Sequence, residues 1–357
     1  MGTNPVDRAE SFCQRLGLRV PILLAPMAGA CPPSLSIAVA GAGGMGAAGV
    51  VMMPPDEIAA WARDVRAATD GVFQLNNWIP GPAPARDRAH EARVREFLAA
   101  WGPAVPPEDG DATPPDFGAQ CEAMLEAAPR AISSIMGLFD AAYVARFKSA
   151  GIAWFATVTT VEEARAAEAA GADVIVVQGA EAGGHRGSFR AQDAEARAVG
   201  LFSLLPCVAD AVRVPVVASG GIADARGVAA ALVLGASAVQ IGTAFLRCPE
   251  SRIATAWAEQ LGRTPPEGTV LTRAFSGRAG RSIATAYVAA ANGAAAPAPA
   301  PYPVQRGLTV KMRAAAMREG DVQRMQAWAG QSGRLARAAP AAEVVAELWG
   351  RAREMVG

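Results

Sequence analysis

A glycine-rich stretch contains one of the two histidines in this chain of 357 residues. The stretch reads QGAEAGGHRG over residues 178–187, and it follows the apolar run DVIVV. Its histidine, His185, has a side-chain type that exchanges protons near neutral pH, because the ordinary pKa of imidazole is about 6.5. The neighbouring glycines lack a Cβ atom, so the backbone can bring that imidazole against a flat ligand. We therefore predict that His185 is catalytic.

Two further glycine turns have the composition of an anion site. The run VPVVASGGIADARG places Ser219, Gly220 and Gly221 between an apolar strand and the start of a helix. One strand later, SAVQIGT ends in Gly242 and Thr243. Glycines let backbone N–H groups approach an anion, and a helix N-terminus favours negative charge. Tight turns alone could explain either segment, but two adjacent turns favour a shared phosphate site.

The segment GAGGMG, residues 41–46, fits the glycine pattern of a dinucleotide-binding loop. That loop requires a strand before the glycines and a helix after them. Here a helix-like run, PSLSIAVA, comes first and a strand-like run follows. We therefore interpret these glycines as a turn between a helix and a strand.

The elements that must position these turns are short apolar runs that alternate with alanine-rich, helix-like stretches. The runs lack strict alternation, which is typical of strands covered on both faces. Eight such runs predict a (β/α)8 TIM barrel, with a doubly wound sheet as the alternative. The predicted strands are residues 21–25, 44–51, 71–76, 131–136, 152–158, 173–178, 214–220 and 237–243.

Two segments depart from this alternation. Residues 79–130 are rich in proline and charge and predict a loop excursion with its own helix. Residues 250–330 predict a smaller helical domain over the active-site face, interrupted by an extended segment at 292–303. Residues 1–249 and 331–357 then form the barrel, onto which the last helix packs.

Composition excludes several classes of partner. Lys and Arg together number 33, as do Asp and Glu, so zero net charge argues against nucleic acid or an anionic membrane. No apolar stretch approaches the roughly 18 residues of a membrane span, and the N-terminus lacks a signal-peptide pattern. The five cysteines are scattered, without the spacing of metal ligands. We expect a cytoplasmic protein with reduced thiols and no metal site.

Several motifs together resemble the nitronate monooxygenase family, long called 2-nitropropane dioxygenases. They are PILLAPMAGA, QGAEAGGHRG, ASGGIADARGVAAAL, QIGTAFLRCPES, AFSGRAGRS and QAWAGQ, spread from about residue 18 to 335. The resemblance implies a TIM barrel with one non-covalent FMN and a helical domain over the active-site face. The FMN-dependent enoyl-acyl-carrier-protein reductases are similar as well and carry an AGGH-like loop.

The resemblance also implies roles for individual residues. His185 matches the active-site histidine of the family, and the residues implied to contact FMN lie at the predicted strand ends. Those residues are Ala25, Pro26, Met27, Asn76, Gln178, Gly183, Gly184, Ser219, Gly220, Gly221, Gln240, Gly242 and Thr243. Asn77 and Trp78, after the third strand, depart from the more usual small or apolar residue.

The activity implied by the resemblance is oxidation of alkyl nitronates or nitroalkanes by FMN and O2, giving carbonyl compounds and nitrite. The alternative is an NAD(P)H-dependent FMN reductase acting on a quinone or an enoyl thioester. A third hypothesis is a flavin-binding protein without turnover. We expect small-molecule partners and leave a homodimer open.

Two further residues have two possible roles each. Arg278 is predicted to form an ion pair or to reach the substrate. Tyr302 is predicted to donate a hydrogen bond into the pocket or to pack within the smaller helical domain.

Overall fold

The computed structural model describes residues 4–70 and 72–357, which contain eleven strands. Eight of them are parallel and form one sheet in the order β1-β9-β8-β6-β5-β4-β3-β2. The other three form a small antiparallel sheet in the order β10-β11-β7. In chain order they are β1 (Ile22–Leu24), β2 (Gly46–Gly49), β3 (Phe73–Trp78), β4 (Ala131–Ile135), β5 (Ala153–Val158), β6 (Val174–Gln178), β7 (Gly184–His185), β8 (Val216–Ser219), β9 (Ala238–Ile241), β10 (Thr269–Thr272) and β11 (Gly280–Ile283).

The large sheet closes on itself and is a barrel. A parallel bridge between Leu23 and Met45 brings β1 to the chain that enters β2, so the two ends of the strand order meet. The predicted (β/α)8 barrel is therefore confirmed, and the doubly wound sheet is wrong. Seven of the eight predicted runs contain one barrel strand each, and the third overlaps β3, which extends beyond it to Trp78. Gly71, the first residue of the third predicted run, lies outside the described residues.

Helices alternate with the barrel strands and add a layer outside them. They are α1 (Pro5–Leu16), α2 (Pro33–Gly41), α3 (Pro55–Ala68), α4 (Arg88–Ala99), α5 (Phe117–Glu126), α6 (Ala141–Ser149), α7 (Val161–Ala169), α8 (Leu201–Ala211), α9 (Ala225–Val233), α10 (Thr255–Arg263), α11 (Ala286–Ala291), α12 (Val304–Leu308), α13 (Val310–Glu319) and α14 (Ala341–Val356). Thr160 and Asp224 cap α7 and α9 by accepting from backbone N–H groups of the first turn. The segment GAGGMG connects the end of α2 to the start of β2, with Gly43 and Gly44 in the turn between them, as interpreted from the sequence.

The barrel has an apolar interior at its amino-terminal end. Phe12 and Leu16 of α1 are buried there and share a cluster with Leu23, Phe155 and Val176 of the strands. The rings of Phe12 and Phe155 lie 6.5 Å apart. Because side chains fill this end, a ligand can enter only from the carboxyl ends of the strands. No helix in the described ranges is both long and apolar enough to cross a membrane.

Residues 250–330 cover the carboxyl ends of the strands. This segment contains the four helices α10–α13, and it also contributes β10 and β11, which the sequence did not predict. Strand β11 pairs with β7 and places Gly280 opposite His185. Residues 292–303 contain no regular helix or strand, but residues 292–296 form turns and bends rather than the extended segment expected there.

Residues 79–130 contain two α-helices rather than the single one expected: α5 packs against α3 in the outer layer of the barrel, and α4 packs into the same apolar cluster as this covering segment. Val94 and Leu98 of α4 share that cluster with Phe275, Tyr287 and Met312. Helix α14 packs instead on the outside of the barrel, where Val345 and Leu348 join its main cluster. We propose that residues 250–330 form a smaller lid domain, and below we call this segment the lid.

Candidate active site

One cavity of about 590 Å³ lies between the carboxyl ends of the barrel strands and the lid. It is where βα loops of a barrel converge, because parallel strands end at the same face. Every residue that the sequence singled out for catalysis or cofactor binding lines it. These are Ala25, Pro26, Met27, Asn76, Gln178, Gly183, Gly184, His185, Ser219, Gly220, Gly221, Gln240, Gly242 and Thr243. The geometry brings them together, and their individual roles stay predictions.

One end of the cavity has the geometry of an anion site. Gly220 and Gly221 follow β8 with φ angles of +104° and +71°, which residues with a Cβ atom adopt only at a cost. Neither N–H group donates a hydrogen bond to any residue of the described ranges. Gly242 and Thr243 follow β9 beside them and line the same cavity. This end can accept an anionic group such as a phosphate.

Two amide side chains present unused hydrogen-bonding atoms to the cavity. Gln240 Oε1 accepts from Gln74 Nε2 at 3.0 Å, and Asn76 Nδ2 donates to Ser133 Oγ at 3.0 Å. Gln240 Nε2 and Asn76 Oδ1 have no hydrogen-bond partner within residues 4–70 and 72–357. A donor and an acceptor are thus available to a heteroaromatic ring that carries both kinds of polar atom.

The loop that carries His185 is held by the side chain of Gln178. Gln178 Nε2 donates to the His185 carbonyl at 3.1 Å, and its Oε1 accepts from the Gly187 N–H at 2.8 Å. Arg186 is buried and donates to the Gly179 carbonyl at 2.6 Å. Burial lowers the pKa of Arg186 to about 10, so the guanidinium remains charged at neutral pH. Hydrogen bonds from the chain's own residues therefore hold this loop in place.

The imidazole of His185 lies between two tryptophans. The ring of Trp78 is 4.6 Å away at an interplanar angle of 68°, and the ring of Trp328 is 4.8 Å away at 62°. His185 Nε2 is 2.7 Å from Ser276 Oγ, and Nδ1 has no partner in the described part of the chain. The sequence did not assign Trp328 or Ser276 to the site, although both lie in the quoted motifs QAWAGQ and SGRAGR.

Three arginines surround this histidine without carboxylate partners. Burial, followed by the charges of Arg306, Arg278 and Arg313, lowers the pKa of His185 to about 3. None of the three arginines forms an ion pair with another described residue. Arg306 and Arg313 line the cavity directly. The site thus combines a neutral imidazole with an excess of positive charge.

The environment of Arg278 corrects one expectation. Of the two roles predicted for Arg278, the ion pair was favoured, and it is wrong. The guanidinium of Arg278 instead contacts Met136 Sδ at 3.0 Å and lies 5.8 Å from the ring centre of Tyr302. Tyr302 lines the cavity, and its ring lies 5.4 Å from that of Trp78. Arg278 therefore adds its charge to the cavity unneutralised, at the side where Tyr302 and Trp78 form the wall.

Comparisons with known proteins agree with this geometry. The family model described as nitronate monooxygenase matches residues 11–350. A nitronate monooxygenase of Paraburkholderia phytofirmans is 41% identical over 93% of this chain and 92% of its own. The structure of a nitroalkane oxidase from Streptomyces ansochromogenes is similar with a TM-score of 0.87, at 36% identity over 96% of this chain and 98% of that one. FabK from Thermotoga maritima is similar with a TM-score of 0.75, at 26% identity over 100% and 98%.

Proposed function

The chain belongs to the nitronate monooxygenase family, and on that premise we propose that it uses FMN and O2 to oxidise alkyl nitronates or nitroalkanes to carbonyl compounds and nitrite. The observation that carries this proposal is a neutral His185 within a cavity lined by unpaired arginines. Such a cavity suits a small substrate that is an anion or becomes one on losing a proton. The cytoplasmic location and the homodimer stay predictions.

The residues present are suited to FMN. The N–H groups of Gly220 and Gly221, beside Thr243, would hold its phosphate. Asn76 Oδ1 and Gln240 Nε2 would meet the polar edge of its ring. When bound, FMN supplies the redox chemistry that couples oxidation of the substrate to O2. The protein binds and orients the reactants and keeps water away from them.

Positive charge favours the nitronate over the neutral nitroalkane. The guanidinium of Arg306 donates no hydrogen bond to another described residue, so it is available to an oxygen of the substrate. Attraction between unit charges is strong in a half-buried site, because water screens it poorly. Arg313 and Arg278 add to the same field. We therefore expect tighter binding of the anion.

His185 can serve both substrates through its free atom, Nδ1. When Ser276 donates its hydroxyl proton to Nε2, Nδ1 carries the proton and can donate to a nitronate oxygen. When Ser276 accepts from Nε2, Nδ1 is unprotonated and can take the α-proton of a nitroalkane, and the nitronate anion formed beside it would offset the burial and arginine charges that disfavour a charged imidazole. The hydroxyl thus permits either tautomer without moving the ring.

The alternative is an NAD(P)H-dependent reductase. Because the chain is also similar to FabK, an experiment must distinguish the two activities. Anaerobic FMN-loaded protein would be mixed with ethyl nitronate in one cuvette and with NADH in another. We expect loss of the oxidised flavin spectrum with the nitronate alone. Bleaching with NADH alone would favour the reductase, and no change in either cuvette would favour a binding protein without turnover.

The role of His185 is tested by the His185→Asn variant. We expect it to retain FMN and to lose about 10²- to 10⁴-fold in kcat with nitroethane, the usual contribution of a general base. The other histidine, His90, lies outside the cavity, so His90→Asn is the matched control. Normal turnover of nitroethane by His185→Asn would contradict the base role.

A further inference from the structure

The exposed rim of the active-site cavity carries several large apolar side chains beside one acidic residue, Glu57. Met52, Val310 and Met317 line the cavity, and their exposed fractions are 40%, 45% and 49%. Eight large hydrophobic side chains are exposed in the described ranges, and the remaining five do not line this cavity. Single exposed apolar residues are ordinary, but a group of them at the mouth of a pocket indicates contact with an apolar ligand.

Helix α13 supplies one side of this rim. Val310, Arg313, Ala314 and Met317 all line the cavity. Their spacing of three, four and seven residues places them on one face of the helix. The guanidinium of Arg313 is held by three oxygen atoms of the lid at 3.0–3.2 Å, so it does not extend over its apolar neighbours. This face therefore presents aliphatic surface outward from a cationic interior.

The loop between β2 and α3 supplies a further part of the lining. Met52 and Met53 belong to this loop and line the same cavity. One cavity thus contains the charged groups around His185 together with exposed methionines and a valine. A small polar substrate makes no use of the apolar side chains, whereas an anion with an alkyl chain matches both groups.

We propose that Met52, Val310 and Met317 form a subsite for the alkyl chain of the substrate, so that unbranched primary nitronates with longer chains are preferred over ethyl nitronate. This inference rests on the proposed function for the position of the nitronate group. The nitronate lies beside His185 and Arg306, and the chain runs outward along α13. Full removal of one methylene of the alkyl chain from water raises the affinity about fourfold. A half-exposed rim covers each methylene only in part, so about twofold per methylene is expected.

The first experiment compares kcat/KM for the nitronates of nitroethane, 1-nitrobutane, 1-nitrohexane and 1-nitrooctane. The wild type is measured beside a double variant, Val310→Thr with Met317→Gln, which keeps the size of both side chains and makes them polar. The control is Met355→Gln, because Met355 is equally exposed on α14 and does not line the cavity. We expect the ratio of octyl to ethyl nitronate to be high in the wild type and the control and to fall towards one in the double variant.

A second experiment separates this inference from the proposed function. Straight-chain carboxylates, from propanoate to octanoate, share a planar two-oxygen anion with nitronates and are not oxidised, so calorimetry measures their binding alone. A chain-length dependence that disappears in the double variant supports the subsite, even if no nitronate is turned over. Equal binding of all chain lengths by the wild type, or an unchanged dependence in the double variant, would overturn it.

Discussion

The imidazole Nε2 of His185 lies 2.7 Å from the hydroxyl oxygen of Ser276, which is 91 residues further along the chain. Pairing of β7 with β11 creates this contact, because it places Gly280 opposite His185 and fixes the preceding turn. The backbone N–H of Arg278 donates to the same hydroxyl at 3.3 Å. The lid therefore completes the immediate surroundings of the histidine that the barrel provides.

Replacing Ser276 by alanine removes the only side-chain hydrogen bond of His185 in the described residues. We expect kcat with nitroethane to fall about fivefold, because a lost hydrogen bond of this kind costs about 1 kcal/mol and releases the ring. Ser276→Thr keeps the hydroxyl and is the control. FMN content should remain unchanged in both variants. Equal activity of the alanine variant and the wild type would show that the contact has no role in turnover.

The ionisation of His185 should lie far from its ordinary range. Burial and the neighbouring arginines lower its pKa to about 3, so the ring proton signals should remain those of neutral imidazole down to about pH 4. The unfolded chain binds this proton below about pH 6.5 whereas the folded chain does not, and stability should therefore fall as pH decreases towards 3. NMR titration can follow the two histidines, with His185→Asn to assign them. A midpoint near pH 6.5 for His185 would contradict the electrostatic environment described above.

Removing the charge of Arg306 should weaken the reaction with anions selectively. For Arg306→Met we expect kcat/KM with ethyl nitronate to fall at least tenfold, because a hydrogen bond to a charged group contributes about 1.5–3 kcal/mol. The reaction with neutral nitroethane should change much less. Arg318→Met removes a charge from α13 outside the cavity and is the matched control. A similar loss with both substrates would indicate a structural role for Arg306.

A methyl group at Gly184 should impair cofactor binding. Gly184 lines the cavity with a φ angle of +74°, and nothing lies within 4 Å of the position of an added Cβ atom. Gly320 has a φ angle of +67° and equally open surroundings, but it lies outside the cavity. Gly184→Ala and Gly320→Ala should each lose about 1–2 kcal/mol of stability from backbone strain. Only Gly184→Ala should also retain less FMN on purification, and equal FMN content in both would contradict our placement of the cofactor.

The sequence predicted the barrel and its glycine turns because those signals are local. An apolar run that ends in glycines, such as the one before Gly220, indicates both a buried strand and a turn at its end. The arginines around His185 carry no such signal. Arg306 keeps an unneutralised charge because no carboxylate of the described residues lies near it. The packing of the lid alone determines which side chains surround Arg306. Strands β10 and β11 are four residues each, too short and too mixed in composition to be distinguished from the helices around them.

The apolar cluster beneath the lid joins Val94 to Met312, and this has a consequence for the order of biosynthesis. A ribosome synthesises α4 long before α13. The roof of the cavity cannot assemble until α13 has emerged, even if earlier strands have already paired. Contacts between distant parts of a chain form late and slowly. We therefore expect a cofactor to be captured only after α13 has been synthesised, and truncations before α13 should yield protein that folds in part and binds no flavin.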